Sequence, residues 1–122
     1  MRLPLILLFA ALLAIPVLAA DLSGTWQFSV DVDNGNHGDP TFVLKAAAGK
    51  ITGTYSGPLG ELPATGSFKG DTATIVVKPK PQDDGTQVTV TYTAKIEGAD
   101  KMSGAVAFSN GLAGKWTATR KK

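Results

Sequence analysis

The densest cluster of polar side chains is the run Asp31-Val-Asp33-Asn34-Gly35-Asn36-His37-Gly38-Asp39. An Asp-x-Asp-Asn-Gly sequence places carboxylate and amide oxygens in a tight turn, as calcium sites require. The full calcium-binding loop with its terminal Glu is absent, and Asn, Gly and Asp are also the usual residues of hairpin loops. We therefore expect a hairpin loop here and no metal site.

The remaining candidates for catalysis are few. His37 is the only histidine, no cysteine occurs, and no Ser-His-Asp spacing is present. A lone histidine in a glycine-rich loop is expected to be an exposed surface residue. The pair Asp83-Asp84 is followed by Gly85 and is typical of a turn. The sequence therefore predicts no catalytic residue, no cofactor and no enzymatic activity.

The elements that position these loops are predicted to be strands. Apolar and polar residues alternate with period two from Ser23 to Arg120, and Gly, Pro, Asp and Asn interrupt the alternation at near-regular intervals. No stretch of this region has helical periodicity. Eight strands are predicted, over 23–32, 41–47, 50–56, 63–69, 72–78, 87–96, 101–108 and 112–120. We expect an all-β fold, an eight-stranded antiparallel up-and-down barrel.

The connections between these strands are expected to differ in length. Long loops rich in Gly, Pro, Asp and Asn are predicted at 33–40, 57–62 and 79–86, whereas tight turns are predicted near Gly49, Gly70-Asp71 and Gly98. Alternate connections of a meander lie at opposite ends, so the long loops surround one open mouth and the tight turns form a closed base.

Four glycines are predicted to face the barrel interior: Gly53, Gly66, Gly104 and Gly114. A glycine within a strand marks a bend or a close approach of backbones, which a small barrel needs in order to close. Small inward residues also leave room for a guest molecule. The sequence favours the first interpretation and leaves the second open.

The first 20 residues resemble a cleavable signal peptide. Arg2 precedes an apolar run over 3–18 that Pro16 interrupts, and Val17-x-Ala19 has the small residues that a signal peptidase requires. We expect residues 21–122 to form a single exported domain, periplasmic or extracellular, that is held without disulfides and does not stay in the membrane. This segment carries 11 basic and 10 acidic residues and no basic run with interleaved aromatics, so nucleic acid is not an expected partner.

The motif Gly24-Thr25-Trp26 on the first predicted strand resembles that of the calycin barrels, which include lipocalins, avidins and small bacterial inhibitors. The resemblance implies that Trp26 closes the barrel base and that Arg120, on the last strand, lies across it. Phe68 and Met102 are also placed near the base by their strand positions.

Two members of this group have further matching residues. Leu22-Ser-Gly-Thr-Trp26 and Ile51-Thr-Gly-Thr-Tyr55 are similar to the first two strands of avidins, although the later tryptophans that surround biotin have no counterpart. The start at Asp21 also resembles a periplasmic metalloprotease inhibitor family, whose cysteine pair and N-terminal extension are missing here.

Phe42, Tyr55 and Phe108 are predicted to lie near the mouth, and we expect them to contact a small, mostly apolar ligand. The first functional hypothesis is an exported, non-catalytic binding module. The alternative is a packed barrel whose long loops bind a protein, as a protein-interaction or protease-inhibitor domain. The volume left inside the barrel distinguishes the two hypotheses.

Overall fold

The computed structural model describes residues 22–121, and its regular elements are β-strands. Within these described residues nine strands follow one another: β1 (Gly24–Val32), β2 (His37–Gly38), β3 (Thr41–Ala47), β4 (Lys50–Gly57), β5 (Gly60–Lys69), β6 (Thr72–Val77), β7 (Val90–Ile96), β8 (Lys101–Phe108) and β9 (Ala113–Arg120). The predicted all-β fold is confirmed. The predicted signal peptide lies outside the described residues.

None of residues 22–121 belongs to a helix that is long and apolar enough to cross a membrane.

The sheet closes on itself. From β3 to β8, each strand pairs antiparallel with the strand that follows it, and β1 pairs with β3 on one side and with β9 on the other. The β1–β9 register runs from Trp26↔Arg120 to Val32↔Gly114. The predicted eight-stranded barrel is therefore confirmed, and the short strand β2 is an addition outside the ring, paired with β1 through Val30↔Gly38 and Asp31↔His37.

The two ends of the barrel differ. The mouth is the end at which β1, β4, β6 and β8 finish, with connections 33–40, 58–59, 78–89 and 109–112. The base is the opposite end, with short turns at 48–49 and 70–71 and the connection 97–100. One predicted loop is wrong: Gly57 to Leu62 belongs almost wholly to β4 and β5, which are joined by Pro58-Leu59. Gly60 has φ 106°, a left-handed conformation that lets the chain reverse tightly where Gly-Pro had indicated a loop.

An aromatic cluster fills the middle of the barrel. Phe28 stacks on Trp116 with ring centroids 4.5 Å apart, and Phe42 lies 4.3 Å from Phe28. Tyr92 packs edge-on against all three rings. Each of these side chains is buried, and each comes from an inward position of the period-two pattern. The lower and central interior is thus filled by packed side chains.

The four inward glycines allow neighbouring strands to approach closely. A Cβ atom at Gly53, Gly66, Gly104 or Gly114 would overlap the backbone oxygen of Val43, Thr74, Thr93 or Asp31, respectively. Each of these oxygens belongs to the adjacent strand. The glycines therefore serve barrel closure, which is the interpretation that the sequence favoured.

The base is closed around Trp26, which is fully buried. Its indole nitrogen donates to the Leu22 carbonyl at 3.0 Å, and the Arg120 guanidinium carbon lies 4.4 Å from the ring centroid. Arg120 also donates to the carbonyls of Ser23 and Ala99, so it joins three segments that are distant in sequence. This is the arrangement that the Gly-x-Trp resemblance implied for Trp26 and Arg120.

The other two residues expected at the base occupy its edge. Met102 is the second residue of β8 and is buried, and Phe68 is near the end of β5 and is partly buried. Both pack against the hydrophobic core from the base end.

Replacing Gly104 with Ala is expected to destabilise the barrel by about 2 kcal/mol or more, because the new methyl group would overlap the Thr93 backbone and force β7 and β8 apart. Urea denaturation of the purified protein measures the loss. Gly85→Asn is the control, since Gly85 has a positive φ that Asn tolerates and open space around it. Equal stability of the Gly104→Ala variant and the wild type would contradict this role.

Arg120→Ala is expected to lower the free energy of unfolding by about 1–2 kcal/mol, through loss of the stack on Trp26 and of the carbonyl contacts. Arg120→Lys is expected to recover less than half of this loss, because an ammonium group lacks the planar fork. Lys115→Ala, an exposed position of the same strand, is the control. Full recovery by Lys would show that only charge matters at this position.

Candidate functional site

The mouth half of the barrel contains an open cavity of about 430 Å³. Its walls are formed by inward side chains near the mouth ends of β1, β4, β7 and β8, and its rim by the connections 33–40 and 78–89. The inward side chains are Val30, Tyr55, Val90, Tyr92 and Phe108. Val88, in the long connection, is also buried against the core. The barrel is therefore filled by side chains at its base and centre and contains a cavity at its mouth.

Two of the three predicted ligand-contacting residues line this cavity. Tyr55 and Phe108 lie on its walls, and Phe108 is only partly buried. Phe42 does not line it. The side chain is fully buried, with its ring centroid 5.3 Å from those of Tyr55 and Tyr92. The connection before β3 explains its depth: Pro40 is fully buried and lines the cavity in its place.

Tyr92 is a cavity residue that the predicted ligand-binding set leaves out. Counted from the mouth, it is the second inward-facing residue of β7, after Val90, and it is 3% exposed. The signal that identifies it in the sequence is a hydroxyl on an inward position of a strand that starts at the mouth.

The two tyrosine hydroxyls are in different environments. The Tyr55 oxygen accepts a hydrogen bond from the Leu59 amide at 3.4 Å, which ties β4 to the turn that follows it. Burial raises the pKa of Tyr55, and it raises the pKa of Tyr92 far above its ordinary range. Both side chains are therefore neutral hydroxyls at physiological pH.

A charged bridge holds the short strand β2 at the rim. The His37 ring places Nδ1 2.7 Å from an Asp31 oxygen and Nε2 2.9 Å from an Asp39 oxygen. These two hydrogen bonds raise the pKa of His37, because the protonated ring donates to both carboxylates. The expected lone surface histidine is half exposed, but it is paired on both sides and lines the cavity mouth.

The run from Asp31 to Asp39 thus forms the expected hairpin. Asn34 accepts a hydrogen bond from the Asn36 amide at 3.0 Å, and Gly35 takes a positive φ in the turn. Its carboxylates Asp31 and Asp39 bind the histidine ring.

Charge is unevenly distributed between the two ends of residues 22–121. The mouth carries Asp31, Asp33, Asp39, Glu61, Asp83 and Asp84 against Lys78, Lys80 and Lys115. The base carries Lys45, Lys50, Lys69, Lys95, Lys101, Arg120 and Lys121 against Asp71, Glu97 and Asp100. The electrostatic potential at the mouth is therefore unfavourable for an anion.

Comparison with solved structures identifies β-barrels of designed origin. A redesigned β-barrel, b11L5F_LGL, is 14% identical over 89% of this chain and 99% of its own, with a TM-score of 0.66. The redesigned barrel mFAP0, bound to DFHBI, is 17% identical over 81% and 98%, with a TM-score of 0.60. A fluorescence-activating β-barrel designed de novo is 14% identical over 88% and 100%, also with a TM-score of 0.60. At these identities the likeness shows the fold.

No protein-family model matches the sequence, and no curated protein matches it.

NMR titration of His37, the single histidine, is expected to give a midpoint above its ordinary value of about 6.5. Because the folded pKa is raised, the bridge stabilises β2 fully below the ordinary pKa, and this contribution is lost as pH rises through the raised value. Asp31→Asn and Asp39→Asn are each expected to lower the midpoint. Asp33→Asn, in the same loop, is the control. A midpoint at or below the ordinary value in the wild type would contradict the bridge.

Proposed function

We propose that this chain is an exported, non-catalytic binding module that holds a small, mostly apolar ligand in the mouth of the barrel. The observation that carries the proposal is the cavity of about 430 Å³ above the aromatic cluster. Small-molecule sites are concave, mostly apolar and of about 300–1,000 Å³, and the mouths of β-barrels are common places for them.

The chemistry of the walls supports an apolar ligand. Val30, Val90 and Phe108 present hydrocarbon surface, and the two tyrosines add ring faces and edges with few polar atoms. A ligand that covers this surface removes it from water, which supplies most of the binding free energy. The excess of carboxylates at the rim disfavours a strongly anionic ligand.

The designed neighbours support the same use of the fold. Redesigned barrels with TM-scores of 0.60 and 0.61 to this chain are bound to DFHBI. Ligand binding is therefore compatible with a barrel of this fold. The residues that line the cavity support binding without catalysis. Its titratable side chains are two neutral tyrosines, a histidine paired with two carboxylates, and Lys80.

Two finer assignments are supported by particular residues. A calycin-like origin is supported by the stack of Arg120 on Trp26 behind the Gly-x-Trp motif. Export to the periplasm or beyond is supported by the apolar run over 3–18 and by Val17-x-Ala19. The open volume at the mouth favours ligand binding over the alternative of a fully packed barrel that acts through its loops.

Titration with the neutral apolar fluorophore N-phenyl-1-naphthylamine is expected to show saturable binding to residues 21–122. Phe108→Ala and Tyr55→Ala are expected to weaken it by about three- to thirtyfold, because each removes apolar contact area. Val88→Trp, which adds a large side chain at the rim, is expected to weaken it by filling the cavity.

Val43→Ala is the matched control, because Val43 is 46% exposed on the outer face of β3. Circular dichroism and urea denaturation establish that each variant is folded. Absence of saturable binding to the folded wild type, or equal binding by all the variants, would contradict the proposed function and favour a protein partner at the loops.

A further inference from the structure

Tyr92 differs from the other polar aromatic side chains of this protein. Trp26 donates to the Leu22 carbonyl at 3.0 Å, Trp116 donates to the Ala105 carbonyl at 2.9 Å, and the Tyr55 oxygen accepts from the Leu59 amide. The Tyr92 hydroxyl makes no hydrogen bond with any atom of residues 22–121, although its side chain is only 3% exposed. A buried hydroxyl without a partner is unfavourable, and native proteins rarely retain one.

The ring of Tyr92 is held in one orientation. Phe28, Phe42 and Trp116 each meet it edge-on, at centroid distances of 5.7, 5.3 and 6.0 Å. Rotation of the ring towards another partner would break these contacts. The direction of the hydroxyl is therefore set by the aromatic cluster, and the residue also lines the cavity.

The hydroxyl is also fixed in its protonated form. Burial, with a smaller contribution from Tyr55, raises the pKa of Tyr92 far above physiological pH. The group is thus a permanent hydrogen-bond donor. A ligand that covers this hydroxyl must supply an acceptor of its own or lose affinity, because the donor would otherwise be buried without a partner.

We propose that the Tyr92 hydroxyl is the polar anchor of the ligand and donates a hydrogen bond to a neutral oxygen acceptor. The ligand class is then a small apolar molecule that carries a carbonyl group, such as an aromatic ketone. This inference rests on the proposed function and specifies which ligands the cavity selects. A carboxylate is disfavoured because the two rim connections carry more acidic than basic side chains: Asp33, Asp39, Asp83 and Asp84 against Lys78 and Lys80.

A matched pair of fluorescent probes tests the anchor. The first is 6-propionyl-2-dimethylaminonaphthalene, which carries a ketone, and the second is 2-dimethylaminonaphthalene, which lacks it. The wild type is expected to bind the ketone about three- to tenfold more tightly than the second probe, beyond the difference in their partition into an apolar solvent. Donation to the ketone oxygen is also expected to shift its emission to longer wavelength.

Tyr92→Phe removes only the oxygen and keeps the ring that packs in the cluster. It is expected to abolish both the ketone preference and the emission shift, while binding of the second probe stays within about twofold of the wild type. Because no hydrogen bond within residues 22–121 is lost, the variant is expected to have an unfolding midpoint in urea at or above that of the wild type. Val43→Ala is expected to leave both affinities unchanged.

The outcomes are distinguishable. Tight binding of both probes with no effect of Tyr92→Phe on the ketone preference would overturn the anchor and leave the proposed function standing. Loss of the preference in Tyr55→Phe but not in Tyr92→Phe would overturn the assignment to Tyr92. No binding of either probe to the folded wild type would overturn both the anchor and the proposed function.

Discussion

The sheet of this protein closes into a ring, and closure restricts which residues can occupy its inward positions. Strand β1 pairs with β9 along almost its full length, and closure requires the strands to coil so tightly that their backbones nearly touch. Such approaches occur at Gly53, Gly66, Gly104 and Gly114, where a side chain would overlap the neighbouring strand. Glycine at these positions therefore allows the eight strands to close into a ring, and the enclosed interior depends on that closure.

Once the ring is closed, its interior is divided by the size of the inward side chains. Trp26 and the cluster of Phe28, Phe42 and Trp116 occupy the lower and central part. Towards the mouth the inward residues on β1 and β7 are valines, which do not reach across the barrel, and a cavity remains. The same aromatic packing that stabilises the core thus forms a rigid support for the binding site. Tyr92 belongs to both, with its ring in the cluster and its side chain on the cavity wall.

Periodicity alone predicted the strands and their inward faces. Because side chains alternate between the two faces of a strand, an alternating apolar pattern places residues such as Val30, Tyr92 and Trp116 on the inward face. It did not predict the turn at Pro58-Leu59, where Gly-Pro is typical of a loop but Gly60 permits a tight reversal. It also misplaced Phe42, since the depth of an inward side chain depends on how the preceding connection folds, and here Pro40 of that connection lines the cavity. The pairing of His37 with two carboxylates depends on the strand β2 and was not accessible from residue types.

The contact between Arg120 and Ser23 spans 97 positions of the chain, and it secures the base over Trp26. The loop that this contact closes is nearly as long as the described chain, so we expect β9 to dock on β1 after the intervening hairpins have paired. Until β9 has been synthesised and docked, β1 has an unpaired edge and Trp26 lacks the Arg120 stack. The pairing of β1 with β9 is thus far less local than the hairpins between consecutive strands, and we expect the cooperativity of the domain to depend on β9, the last strand of the ring in sequence.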